Sequence, residues 1–210
     1  MINRRFLVRL PVALVVMAAA PSFLELAPAR AGDAGIAIAD PGHVAWQSAA
    51  AAHGLDPLIL YAIGVHESGR GDPEHRLRPW PYAINTPRGP VYAADADAAR
   101  RVLASWGHDG RLDVGPMQVN LGFHRGRVAS AAALLDPATN IRIAARILAE
   151  AIAAEDGDVW AGVGRYHSAD PRRAQRYVAA VSETFRRVKA AQDDAAAASV
   201  PPLLRDGARR

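Results

Sequence analysis

Most of the chain carries apolar residues at helical spacing, and one stretch does not. Residues 43–54, HVAWQSAAAAHG, predict a first helix closed by Gly54. Asp56-Pro57 then offers a capping side chain followed by proline at the first helical position. The helix it opens runs to about Ser68. Leu58, Ile59, Leu60, Ile63 and Val65 make it apolar nearly all round, the mark of a central core helix. Asp136-Pro137 and Asp170-Pro171 repeat the start signal. The first opens NIRIAARILAEAI, with Ile141, Ala144, Ala145, Leu148 and Ile152 on one face. The second opens a closing helix with Tyr177, Val178, Val181 and Phe185 on its inner stripe. A short helix spans about 158–167. The pattern predicts a mainly α domain over residues 43–190.

Residues 70–112 interrupt this periodicity. RPWPYAINTPRGPVYA contains four prolines, two tyrosines and a tryptophan. Thr86 to Pro90 reads as a turn between strand-like pieces, which predicts a small β-hairpin insertion. DADAARRVLASWG follows as a helix closed by Gly107. Such an insertion could form a lid over a groove or a plain surface elaboration. Beyond residue 190 the sequence is low in complexity, and 191–210 read as a flexible tail.

The first 31 residues change the picture of charge and compartment. A basic head (Arg4, Arg5, Arg9), an apolar run from Leu10 to Ala20 and Ala29-Arg30-Ala31 predict a signal peptide over 1–31, with a linker over 32–42. The apolar run is too short to span a bilayer comfortably. The chain is thus expected to work in the periplasm or outside the cell, with no stable membrane span after cleavage. The whole chain carries a formal +4. The signal holds four arginines against Glu25, so about +1 remains after cleavage, and nucleic acid is discounted as a partner. The chain has no cysteine, which excludes disulfides, thiolate chemistry and cysteine metal sites.

The chemistry begins with one misplaced charge. Glu67 stands in line with Leu60, Ile63 and Gly64, at the C-terminal end of the core helix. Burial and the negative helix end both favour its protonated form, as a general acid requires. The competing reading is a structural glutamate held by backbone amides or by Arg70. The histidines do not build a metal site. His66-Glu67 would need a second histidine at position 70, where Arg70 stands, and no cofactor is expected.

Downstream lie DVGPMQVN (residues 113–120), NIxxAAxIL in the helix after Asp136, and GVGRYHSADP (residues 162–171). Glu-Ser ending a buried helix, then Gly-x-Met-Gln-Val, then that helix, then a tyrosine before a closing helix resemble the soluble-lytic-transglycosylase type. This is a goose-lysozyme-like family, and the resemblance covers about residues 43–186. The aromatic insertion and VGRYHS resemble members found with conjugative elements and secretion systems. The resemblance implies a lysozyme-like helical fold and cleavage of peptidoglycan glycan strands with formation of 1,6-anhydro ends. It makes Glu67 the single catalytic acid/base and Ser68 an orienting group. Gln118 would line the saccharide groove, Met117 would pack, and the Tyr166 hydroxyl would lie near the carboxyl. Pro116 stands where the family has leucine, and His167-Ser168 replaces Asn-x-Gly, which leaves the role of His167 open.

Other residues carry alternatives. Asp113 could lie across the groove and hold a water, which would make the enzyme a hydrolysing muramidase. The favoured reading makes it the cap of the short helix that follows. Trp80, Tyr82 and Tyr92 could pack or stack on sugar, and Asn85 could bond to a sugar. Asp72 and Glu74 read as solvated. A peptidoglycan-binding protein without turnover is the non-enzymatic alternative.

Overall fold

The structure, a computed structural model, describes residues 43–71, 77–107 and 109–198. The predicted signal peptide and linker, Asp72, Glu74, His108 and residues 199–210 lie outside the described residues. The protein is mostly helical with a small strand component.

Helix α1 (His43–Ala51) leads through Gly54, at φ +65, to α2 (Pro57–Ser68). The Asp56 side chain accepts from the Leu58 N–H at 2.8 Å and starts α2 as the sequence predicts. Residues Ile59 to Val65 are all buried, which makes α2 the centre of the core. Fully burying a side chain such as Leu60 or Ile63 contributes about 1.5–3 kcal/mol. Trp46 from α1 meets Tyr61 edge-on, with ring centroids 5.2 Å apart. A Cβ at position 64 would come within 2.5 Å of the Trp46 ring, so only glycine lets α1 close on α2 here.

Strand β1 (Gly69–Gly71) continues directly from α2 and pairs with β2 (Leu77–Pro79). The predicted hairpin forms as β3 (Ala83–Thr86) and β4 (Gly89–Tyr92), followed by α3 (Ala96–Trp106) with Asp95 as its cap. The strand lobe is larger than the sequence boundary at 112. Residues Asp113–Val114 and Val119–Asn120 form β5 and β6, and the sheet order is β4-β3-β5-β6. The DVGPMQVN segment is therefore part of this sheet. A two-residue strand carries too little alternation to be recognised from sequence.

Helix α4 (Leu121–His124) and two short 3₁₀ turns, Arg125–Arg127 and Ala131–Leu135, lead to α5 (Pro137–Ala153). Then come α6 (Val159–His167) and α7 (Pro171–Ala198). Helix α2 packs against α1 and α7, α5 against α1 and α6, and α6 against α7. Helix α7 continues beyond residue 190, where composition placed the start of a flexible tail. Alanine is the strongest helix former, and a Lys189–Asp193 pair at i,i+4 supports the extension.

Candidate active site

Glu67 lies in the last turn of α2, where the helical body meets the strand lobe. It is half-buried. Burial of the carboxyl pushes its pKa from an ordinary 4.5 to about 7. A hydrogen bond from the Tyr177 hydroxyl at 2.5 Å pulls the other way, and the charge of Asp113 adds to the rise. Near neutral pH the group is thus poised between acid and base. Arg70 does not neutralise it. The Arg70 guanidinium lies instead over the rings of Trp80 and Tyr92.

Asp113 comes from the strand lobe, the second wall of the site. Strand pairing sets Asn85 of β3 directly across from Asp113 of β5, and Asn120 of β6 across from it on the other side. The Asn85 amide donates to Oδ2 at 3.1 Å and the Asn120 amide to Oδ1 at 2.7 Å. Burial raises the Asp113 pKa, and these two donors partly offset the rise. Asp113 does not cap the following helix, contrary to the favoured sequence reading. Asn120 does, accepting from the Phe123 N–H at 3.1 Å. The hairpin leaves Asp113 one strand too early to reach the helix start. Asn85, expected to meet a sugar, has its amide nitrogen committed to Asp113.

The turn between β5 and β6 is fixed from below by Asn140 of α5, which is fully buried. Its side chain accepts from the Met117 N–H at 3.0 Å and donates to the carbonyls of Val114 (2.7 Å) and Leu134 (3.1 Å). Gly115 sits at φ +81, and a Cβ there would strike the Asn140 amide at 2.2 Å. Gln118 also adopts a positive φ, of 47°. Its side-chain nitrogen donates to the carbonyls of Gly115 (2.8 Å) and Ala83 (3.3 Å), so that amide nitrogen is bound to the protein backbone. Met117 is buried, as expected. Ser68 joins the two walls. Its hydroxyl lies 2.8 Å from the Pro116 carbonyl and 3.1 Å from that of Gly64, and it accepts from the Trp80 N–H at 3.1 Å.

Compared with known proteins, the chain matches no family model, no curated protein and no solved structure. The chemistry of the site therefore stands on its geometry and on the sequence motifs.

Two tyrosines complete it. The Tyr166 hydroxyl of α6 donates to the Met117 carbonyl at 2.9 Å, and its ring is close enough to both carboxyls for their charges to raise its pKa, after burial. Tyr177 of α7 is raised well above 10 by burial and by Glu67, so both phenols stay neutral. Tyr177 is clamped by two imidazoles. His167 stacks on its ring at 4.3 Å with planes 3° apart, and His66 meets it edge-on at 5.1 Å. Burial lowers the pKa of both histidines, which keeps them neutral at neutral pH.

Sequence reading placed Glu67, Ser68, Gln118, Asn85, Asp113, Tyr166 and His167 at the site, and the fold gathers all of them around the α2 end and the β5–β6 hairpin. Tyr177 is buried, as its place on the inner stripe predicts, but its bond to Glu67 and the roles of Asn140 and Asn120 are not legible in the sequence. Asn140 carried the signal that singled out Glu67, a polar residue in line with the apolar Ala144 and Leu148. Tyr177 gave none, because a tyrosine on an inner stripe looks the same whether or not its hydroxyl finds a carboxyl. No group of three or more acidic or histidine side chains among the described residues could hold a metal ion. A shallow apolar groove between α6 and α7, lined by Trp160, Ala174 and Val178, includes none of the residues above.

Proposed function

We propose that this protein is an exported lytic transglycosylase of lysozyme-like fold. It would cut the β-1,4 bond between N-acetylmuramic acid and N-acetylglucosamine, opening the wall locally for a conjugation or secretion apparatus. One observation carries the reading: a carboxyl poised near pH 7 at the end of a core helix, with a neutral phenol donating to it. The ordered motifs around Glu67, Gln118 and Tyr166 supply the substrate class.

In this scheme protonated Glu67 donates to the glycosidic oxygen as the C1–O4 bond breaks. The acetamido oxygen of the muramic acid attacks C1 and holds the cation. The Glu67 carboxylate then takes the proton of the C6 hydroxyl, and O6 attacks C1 as the acetamido oxygen leaves. No water is consumed, and Glu67 ends as it began. One carboxyl acts as acid and then as base, so a pKa near the working pH serves both steps. Tyr177 donates to the anionic form between the steps. Tyr166, tied to Met117, packs beside the reacting groups.

A second reading is favoured by Asp113. Two amides fix this carboxylate close enough for its charge to raise the Glu67 pKa, and a second carboxyl is what a hydrolase of this bond needs. Mass spectrometry of peptidoglycan digested by the mature protein separates the readings. Anhydro-ended fragments support the transglycosylase, reducing ends the muramidase, and no fragments a binding protein.

A further inference from the structure

Arg70 has no part in that scheme. It stands on β1, three residues beyond Glu67, and is exposed. Its guanidinium carbon lies 4.9 Å from the centre of the Trp80 ring and 5.6 Å from that of Tyr92. No carboxylate among the described residues pairs with it.

The platform beneath Arg70 is held firmly. The Trp80 N–H meets the carbonyl of Ser68 at 3.2 Å and its hydroxyl at 3.1 Å. The indole Nε1 donates to the Ala93 carbonyl at 2.8 Å, which ties the ring to the residue after Tyr92. Tyr92 pairs with Ala83, and Asn85, two residues along β3, pairs with Asp113. Directly paired residues, and residues two apart on one strand, share a sheet face. Tyr92 therefore rises from the same face as Asp113. At about 3.3 Å per residue, Arg70 lies within roughly 10 Å of Glu67 along the chain. A guanidinium over aromatic faces is attracted to them through its charge and can still offer paired N–H groups to a planar anion, which it can grip with two parallel bonds.

We propose that Arg70, on the Trp80–Tyr92 platform, binds a free carboxylate of the stem peptide carried by the muramic acid. The proposal rests on the peptidoglycan reading and names the form of substrate this site selects. The sugar hydroxyls and acetamides are neutral. The lactyl carboxyl of muramic acid is consumed in the amide to the first stem residue. The nearest anion to the reacting bond is thus the α-carboxylate of the second stem residue, and strands in which it is amidated bind less well.

The test uses two synthetic tetrasaccharides with dipeptide stems, alike except that the second residue carries a free α-carboxylate or a carboxamide, all other carboxyls being capped. Affinity is measured by calorimetry on the Glu67→Gln background, so that no cleavage intervenes. The free acid should bind about tenfold tighter, the scale of one charge-assisted contact at an exposed site. Arg70→Gln should bring the two ligands to near parity, and Tyr92→Ala should narrow the gap. Arg88→Gln, which removes an equal charge from its stack on Trp106, should keep the full preference. Equal affinities in the parent, no binding of either ligand, a preference surviving Arg70→Gln, or a preference lost equally in Arg88→Gln would overturn the proposal. Digestion of sacculi by the wild-type protein runs in parallel. Failure to cleave them sinks the transglycosylase reading, while the affinity pair still decides the role of Arg70.

Discussion

Glu67 and Asp113 are both carboxyls drawn away from water, and the protein treats them differently. Burial raises the pKa of each. Among the described residues Glu67 receives one hydrogen bond, from the Tyr177 phenol, and it rises to about 7. Asp113 receives two, from the Asn85 and Asn120 amides, which favour its anion and fix both oxygens. Burial acts on both, and the two carboxyls differ in the donors that meet them. Tyr177 meets one oxygen of Glu67, whereas amides meet both oxygens of Asp113. The walls differ as well. Glu67 rides on a helix whose core face is packed throughout, whereas Asp113 rides on a two-residue strand that depends on Asn140.

The sharpest way to break this comparison is Glu67→Gln. The amide is isosteric but carries no exchangeable acid, so cleavage should fall by about 10²- to 10⁴-fold in a turnover assay. Stability should move the other way. The folded-state pKa is raised, so native stability is full below pH 4.5 and is lost as pH climbs towards about 7. The glutamine variant escapes this loss. At pH 8 it should be more stable than the wild type by up to about 3 kcal/mol, and at pH 4 the two should unfold alike. Unfolding curves with the same pH dependence in both proteins would remove the case for a buried, poised carboxyl.

Asn140→Ala attacks the other wall. It strands the Met117 N–H and two carbonyls in a dry interior, which should cost about 2–4 kcal/mol by urea unfolding. Activity should fall together with stability, because the turn it supports joins β5 to β6. A variant of native stability would show that the β5–β6 hairpin stands without this anchor.

Tyr177→Phe sharpens the contrast by removing this donor from Glu67. The lost hydrogen bond had been lowering the Glu67 pKa, so the alkaline limb of the pH–rate profile, expected near 7 in the wild type, should move to higher pH. The maximal rate should drop by about ten- to hundredfold, the scale of one bond to a charged group. An unmoved limb with an unchanged rate would make the Tyr177 contact incidental.

The smallest effect is expected from Asp113→Asn. If Glu67 works alone, the loss should stay under about tenfold, short of the loss of a general base, and products should remain anhydro-ended. Removing the Asp113 charge should also lower the Glu67 pKa, shifting the alkaline limb down. A collapse in rate at normal thermal stability, with reducing-end products from the wild type, would hand the second reading to Asp113.

Much of the helical frame could be read from the chain. Asp56, Asp136 and Asp170, the three start signals, each accept from an N–H of the helix that follows, because a cap is a local event involving one side chain and N–H groups two or three residues on. The core face of α2 and the odd polarity of Glu67 followed from helical spacing alone. The turn read over Thr86 to Pro90 was likewise local, and its hairpin forms with Thr86 paired to Gly89. Helix α7 runs to Ala198, into the low-complexity segment, because low complexity does not forbid a helix when the residue repeated is alanine.

The sequence by itself determined the chemistry each side chain can offer and the helices that local spacing and caps specify. Only the tertiary structure decided how those groups use one another. Tyr177 meets Glu67 across 110 residues, Ser68 meets Pro116 across 48, and Asn140 holds a turn 23 residues upstream. A hydroxyl or amide carries no mark of its distant partner, since hydrogen bonding is satisfied by whatever packing brings within about 3 Å. Asp113 shows the consequence. Its sequence neighbours allowed a helix cap, and its sheet neighbours, Asn85 and Asn120, made it a fixed carboxylate instead.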